Sequence, residues 1–251
     1  GSHGISAFYL LTDGMKGLHR EKIKKWGMRS SPTALITFED VEIPEENLIG
    51  GLNRGGAILT NGLCTERITL SGCCLGSQRA CLELSLKYAR ERVQFGKPIS
   101  SFQFIQGKLA DMYTHYMASK WMAYSAAAYC DSLEKKVGGK GTDLDRKAAA
   151  ALLFCGEMGT KIASEAVQIH GGYGYCQEYP VEQYMRDCKI ACLYEGTNGI
   201  QALDLVGRKL GQNKGMNAMN MIGEIGATVA RAKAIPELQK YAAYLEEANN
   251  A

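Results

Sequence analysis

Phe102, Ile105, Leu109, Met112 and Tyr116 recur at intervals of three, four, three and four residues. A helix gathers such positions on one face, so this stretch is predicted to be an amphipathic helix with one buried stripe, running from about Ser101 to Leu133. The argument extends along most of the chain. Ile68, Leu75 and Leu82 recur at seven-residue spacing, with Leu86 one turn on, which predicts a helix over about Thr65–Arg90. An Ala-rich third helix is expected over Leu144–His170, stopped by Gly171-Gly172. A fourth is expected to start near Gly196–Asn198 and reach about Leu210, and a further pair to span Met216–Ala232 and Pro236–Ala248. Four long helices with such stripes pack as a bundle, and their Met and Tyr side chains are expected mainly in its core. Between the second and third helices, Glu134–Thr142 carries Gly138, Gly139, Gly141 and several lysines and reads as a mobile surface loop.

The first fifty residues have a different character. Ile5–Thr12 is a continuous apolar run of strand formers, and Thr33–Ile43 roughly alternates apolar and polar. Pro44 and the turn residues up to Gly50-Gly51 close this part. Two or three strands do not make a stable sheet alone, so they are expected to be the second half of a β-domain. Gly1-Ser2-His3 reads as the scar of a cleaved expression tag. The fold class expected is therefore mainly α: the end of a β-domain over 1–52, a helical bundle over 53–210, and the start of a helical extension over 211–251.

Bulk properties exclude several functions. With 22% charged residues and a net charge of only +3, both signs interspersed, the chain has no nucleic-acid footprint and no polybasic membrane patch. No apolar run approaches the roughly 20 residues of a membrane span. The nine cysteines form no C-x-x-C pair and mostly sit among Ala, Leu and Gly, as reduced core cysteines do. The histidines are scattered and make no metal-ligand pattern, so no metal is expected.

Four segments carry candidate chemistry. In Tyr194-Glu195-Gly196-Thr197 a carboxylate stands between a large aromatic residue and a glycine. Desolvation by apolar neighbours raises a carboxylate pKa and makes it a base usable near neutral pH. The other reading is a surface glutamate at a helix start. Arg92-Val93-Gln94-Phe95-Gly96 puts a guanidinium, an amide, an aromatic ring and a glycine at one turn, either to clamp a phosphate and cover a ring or simply to end a helix. Gln168-Ile169-His170-Gly171-Gly172 is a glycine-rich turn, able to approach a nucleotide closely or to connect two helices tightly, with His170 a candidate core histidine. Glu66-Arg67 falls at the expected start of the first long helix, where an acidic residue suits the helix dipole.

In this order and at these spacings the segments resemble the acyl-CoA dehydrogenases, flavoenzymes that oxidise acyl-CoA thioesters to 2-enoyl-CoA. The resemblance covers about residues 5–210. It rests on Gly27-Met28-Arg29 through Phe38-Glu39-Asp40-Val41 to Asn47-Leu48-Ile49-Gly50, on Arg90–Gln106, on Gln168–Asp187, and on Tyr194–Gln201. The third block includes Glu178-Tyr179-Pro180-Val181-Glu182 and Met185-Arg186-Asp187.

The resemblance implies the end of a middle β-domain followed by a C-terminal four-helix bundle. It implies FAD as cofactor, an acyl-CoA substrate, an electron-transferring flavoprotein as acceptor, and a homodimer or homotetramer in the bacterial cytoplasm or mitochondrial matrix, serving fatty acid metabolism. It makes Glu195 the base that removes the α-proton while the β-hydrogen leaves as hydride to flavin N5. Tyr194 and Gly196 line the acyl pocket by that resemblance, with Glu66 and Arg67 on the substrate side. Arg92, Gln94, Phe95, Gln103, Gln168, Gly171 and Gly172 match positions that contact the partner subunit's FAD, and Thr197 one that contacts the subunit's own. Glu66 occupies the position from which some branched- and long-chain members supply their base, and this chain carries both glutamates. An oxidase of the same scaffold, or an oligomerisation module with half a flavin site, are the alternatives. Residues 211–251 resemble the extra C-terminal helical domain of larger members.

Overall fold

A computed structural model of the chain describes residues 4–133, 142–204, 206–207 and 210–250. The expected tag scar at 1–3 and the Gly- and Lys-rich loop at 134–141 lie outside the described residues. The chain divides into two compact units, Gly1–Glu195 and Gly196–Ala251.

The first unit opens with short strands. β1 (Ala7–Phe8) pairs antiparallel with β4 (Leu48–Ile49), and β2 (Leu18–Lys22) with β3 (Ala34–Phe38), Leu18 opposite Phe38 and Lys22 opposite Ala34. The apolar run Ile5–Thr12 supplies only the two paired residues of β1, fewer than its composition predicts. Its backbone groups divide between two partners instead: Ile5 O accepts from Gly55 N–H at 2.9 Å, and Tyr9 N–H donates to Asn47 O at 3.1 Å. β2, with the sequence Leu-His-Arg-Glu-Lys, has no apolar alternation to announce it and exists because β3 pairs with it. Leu35, Ile36 and Phe38 of β3 are all exposed, on both faces of the hairpin.

Three long helices follow: α1 (Gly55–Glu91), α2 (Gln103–Ser132) and α3 (Asp143–His170), then the short α4 (Val181–Cys188). Their shared core contains Cys81, Leu82, Ala89, Met112, Ile162, Ala163, Ala166, Ile169, Val181 and Cys188. The predicted stripes are its walls. Leu75, Leu82 and Met112 are buried, while Phe102, Ile105, Leu109 and Tyr116 pack against the core. Tyr113, Trp121 and Tyr124 of α2 are exposed, so the aromatic residues of that helix divide between core and surface. On α3 much of the inward face is small: Ala148, Ala151, Cys155, Gly156, Gly159, Ala163 and Ala166 are buried beside Leu144, Leu152, Ile162 and Ile169. Small residues at three- and four-residue spacing let neighbouring backbones approach closely. Gln78 of α1 uses this approach, donating from Nε2 to Cys155 O at 2.9 Å.

One boundary differs clearly from expectation. α1 starts at Gly55, ten residues before the predicted Thr65, because Gly55, Gly56 and Gly62 lower helix propensity there without preventing helix. α4 breaks no periodicity rule but is too short to show one. In the second unit, the expected fourth helix is described as α5 (Asn198–Asp204), and residues 205, 208 and 209 of its expected course lie outside the described residues. The terminal pair forms as predicted: α6 (Met216–Lys233) and α7 (Gln239–Asn250) bury Val229 and Ala242, and Lys233 Nζ meets both Glu246 oxygens at 2.6 and 2.7 Å. Among the described residues no helix is long and apolar enough to cross a membrane.

Candidate active site

The approach to Glu195 is built on α3. Gly156 has no side chain, and a Cβ there would lie 3.2 Å from Ala191 O. The turn Lys189–Cys192 therefore docks onto the helix, and Thr160 Oγ1 and Cys192 Sγ meet at 3.3 Å. This fixes the chain two residues before Tyr194-Glu195. Glu195 then takes a left-handed backbone, φ 57°, followed by Gly196 at φ 86°. For glutamate that conformation costs roughly 1–2 kcal/mol, strain of the kind concentrated where a side chain must be aimed.

Glu195 is aimed at Arg67. Arg67 Nε and Nη2 both donate to Glu195 Oε2 at 3.2 Å, and Nη1 donates to Asp145 Oδ1 at 3.0 Å. The side chains of Arg67, Asp145 and Glu195 are 15%, 11% and 29% exposed, so water screens the three charges only in part. Asp145 lies in the first turn of α3, where its backbone N–H donates to the Thr142 cap hydroxyl at 3.2 Å. Cys64, one turn before Arg67, sits with its sulfur 4.0 Å from Asp145 Oδ1; burial first, and then the Asp145 charge, push its thiol upward. The Tyr194 phenol is pushed up to about 12, chiefly by burial, with Cys74, Glu195, Cys73 and Glu66 adding to the shift. Tyr194 is thus a neutral hydrogen-bond donor at physiological pH, and both Glu195 and Glu66 bear on it.

Two expectations change here. The sequence placed Glu195 among apolar neighbours; Tyr194 is one of them, but the group facing the carboxylate is a guanidinium. Glu66 and Arg67 lie about three turns inside α1 rather than at its start, beyond the reach of the helix dipole, so the dipole does not account for Glu66. Asp145 escaped sequence reasoning altogether.

A second cluster occupies the other end of α1. Arg92 caps that helix. β5 (Val93–Gln94) and β6 (Lys97–Pro98) form a hairpin whose two turn residues, Phe95 and Gly96, have φ 52° and 76°, the left-handed pair of a type I′ turn. The turn leaves the Phe95 ring 92% exposed, edge-on to Phe102 at 6.2 Å. The Arg92 guanidinium stands 5.4 Å from the ring centre of Tyr173, in the turn Gly171–Tyr175. Gly171, at φ 60° and ψ −138°, has a backbone suited only to glycine, and a Cβ at Gly171 or Gly172 would meet nothing within 4 Å. Their backbone faces open space. Gln94, Gln103 and Gln168 have exposed side chains around this cluster. His170 is a core histidine: its Nδ1 lies 2.8 Å from Ala166 O and its ring stacks on Tyr88 at 4.3 Å. Burial lowers its pKa, an effect the Ala166 carbonyl opposes.

The remaining blocks of the sequence resemblance also meet. Arg186 holds Glu182 through Nε and Nη2 at 2.6 and 2.9 Å and donates to Trp26 O at 3.3 Å, while Met28 N–H donates to Asp187 Oδ1 at 2.6 Å. A Cβ on Gly27 would fall 2.2 Å from Arg186 O. Gly27-Met28-Arg29 is thus the strap that ties the strand region to α4.

Residues 53–211, which include both clusters, match the family described as acyl-CoA dehydrogenase, C-terminal domain. The chain belongs to the acyl-CoA dehydrogenase family. It is 41% identical over 211 residues to the mitochondrial isovaleryl-CoA dehydrogenase of Solanum tuberosum, a match covering 84% of this chain and 49% of that protein. The structure of butyryl-CoA dehydrogenase from Megasphaera elsdenii superposes with a TM-score of 0.74 at 40% identity, covering 84% of this chain and 53% of that one. The structure of PigA with FAD and proline gives a TM-score of 0.74 at 31% identity, with coverages of 84% and 53%. The chain spans about half the length of the acyl-CoA dehydrogenase relatives it matches.

Proposed function

We propose that this chain supplies the base and part of the cofactor cradle of an FAD-dependent acyl-CoA dehydrogenase, which converts an acyl-CoA thioester to the 2-enoyl-CoA. The observation that carries the reading is Glu195: strained at φ 57°, partly shielded, and held on one oxygen by Arg67 inside the family-matched span. Glu195 takes the α-proton of the thioester. FAD, when bound, accepts the β-hydrogen as hydride, so two electrons leave the substrate and the Cα–Cβ double bond forms. The backbone N–H of Glu195 is a donor for the thioester carbonyl, where enolate-like charge develops. Tyr194 and Gly196 flank the acyl group, with Glu66 and Arg67 on the substrate side.

The second cluster fits a dinucleotide. Arg92 offers a fork of donors to a pyrophosphate. Phe95 presents a bare ring to an aromatic heterocycle, and the open backbone of Gly171 and Gly172 admits close approach. Gln94, Gln103 and Gln168 add amide donors and acceptors, and Thr197 a hydroxyl toward the chain's own flavin. Arg67 and Arg92 are twenty-five residues apart along α1, about 37 Å at helical rise. As the family resemblance implies, the Arg92 cluster then serves a flavin whose reactive ring lies against another subunit's Glu195, and the active assembly is at least a homodimer, in the simplest case a dimer or tetramer. An electron-transferring flavoprotein is the acceptor in this reading.

The test is Glu195→Gln in the holoenzyme that contains this chain. Substrate reduction of the flavin is expected to fall by several orders of magnitude. Rapid reduction retained in the variant would move the base to Glu66.

A further inference from the structure

Arg67 is bonded on two sides. Glu195 is one of two carboxylates on the guanidinium, and Asp145 is the other. It takes Nη1 at 3.0 Å from the side opposite to the Nε and Nη2 pair that faces Glu195, and it is itself buried. The Arg67–Asp145 ion pair leaves Arg67 a counter-charge after Glu195 has taken the proton of the substrate. The geometry has a further consequence. A guanidinium is planar, so fixing Nη1 on Asp145 fixes the plane in which Nε and Nη2 present themselves to Glu195. Asp145 is itself fixed by the first turn of α3 and the Thr142 cap.

We propose that Asp145 is a positioning residue for the base: acting through Arg67, it aims the Glu195 carboxylate and keeps a counter-charge on the guanidinium throughout. This rests on Glu195 being the base, and the test separates the two ideas. The probe is an acyl-CoA with an α-CH2 and a quaternary β-carbon, which cannot lose hydride; exchange of its α-protons in deuterated buffer reads proton abstraction alone. In the holoenzyme, Asp145→Asn is expected to slow exchange about tenfold or more, with the half-saturating probe concentration within about twofold of wild type. Asp145→Glu, which restores the carboxylate, is expected to recover part of the rate. Exchange at the wild-type rate in Asp145→Asn, with Glu195→Gln silent, overturns the positioning role and leaves the base in place. Wild-type exchange in Glu195→Gln overturns the base itself. Should Asp145→Asn not fold, as judged by circular dichroism, Arg67→Lys provides the second variant: a lysine keeps the charge but not the fork, and is expected to slow exchange likewise. Undiminished exchange there also contradicts the proposal.

Discussion

Gly174 and Gly172 lie two residues apart in the same turn, yet the structure assigns them opposite tolerances. A Cβ added at Gly174 would stand 2.3 Å from Val167 O, 2.9 Å from Val167 Cα and 3.0 Å from His170 Cβ. A carbon and an oxygen in van der Waals contact sit more than 3 Å apart, so Gly174→Ala must displace the turn by close to 1 Å. The obstacle is backbone of the last turns of α3, which cannot rotate away as a side chain would. Overpacking of this kind costs about 1–3 kcal/mol, and the upper half of that range is expected here. A Cβ at Gly172 meets nothing within 4 Å, and its φ is not positive. Gly172→Ala is therefore expected to be neutral, or stabilising by up to about 1 kcal/mol through the unfolded chain. Urea unfolding of the two variants reads the difference: with a slope of about 2 kcal/mol per molar, the midpoints should separate by about 1–2 M. Displacing the turn should also draw Tyr173 off Arg92, which quenching of tyrosine fluorescence can follow. Equal losses in the two variants would refute the steric argument, because it turns on what each Cβ meets.

His170 predicts an acid sensitivity. Burial holds its folded pKa below the ordinary 6.5, so the unfolded chain binds the proton more readily. Its contribution is intact above that value and is lost as pH falls below it, by at most about 1.4 kcal/mol per pH unit. His170→Phe, which keeps the stack on Tyr88 and cannot titrate, should flatten the melting temperature between pH 7.5 and 5.5; an unchanged slope would count against the assignment. Arg92→Gln should lower the flavin-to-protein ratio of the purified holoenzyme while leaving the fold of the apoprotein nearly unaltered, since the Arg92 guanidinium is partly exposed and lies over the Tyr173 ring. Full flavin retention would remove Arg92 from the cradle.

The helices were legible wherever periodicity was long enough to act as a ruler. The α2 stripe from Phe102 to Tyr116 and the end of α3 at Gly171 follow from spacing and stop residues. The first turns of α1 were not legible, because Gly55, Gly56 and Gly62 mask a helix that tertiary packing completes. β2 depends on its partner and not on its own residues. The Phe95-Gly96 turn lacks the Asn-Gly signature of a type I′ hairpin, so the sequence offered a ligand-binding turn or a helix end there but no hairpin. In the site, Glu195 and its flanking residues were visible as a motif, and Arg67 as a neighbour of Glu66. Asp145 was invisible for a physical reason. It lies 78 residues from Arg67, and a contact made across two helices leaves no local spacing to detect. The consequence is chemical as well as topological: the motif alone describes a carboxylate in an apolar niche, whereas the folded chain gives it a cation shared with a second carboxylate.

The most direct test of the account is anaerobic addition of short, medium and branched acyl-CoAs to the holoenzyme containing this chain, with the visible flavin band followed in time. The account predicts that at least one thioester bleaches the band stoichiometrically and that the product is the 2-enoyl-CoA. A flavin band that every acyl-CoA leaves unchanged would contradict it.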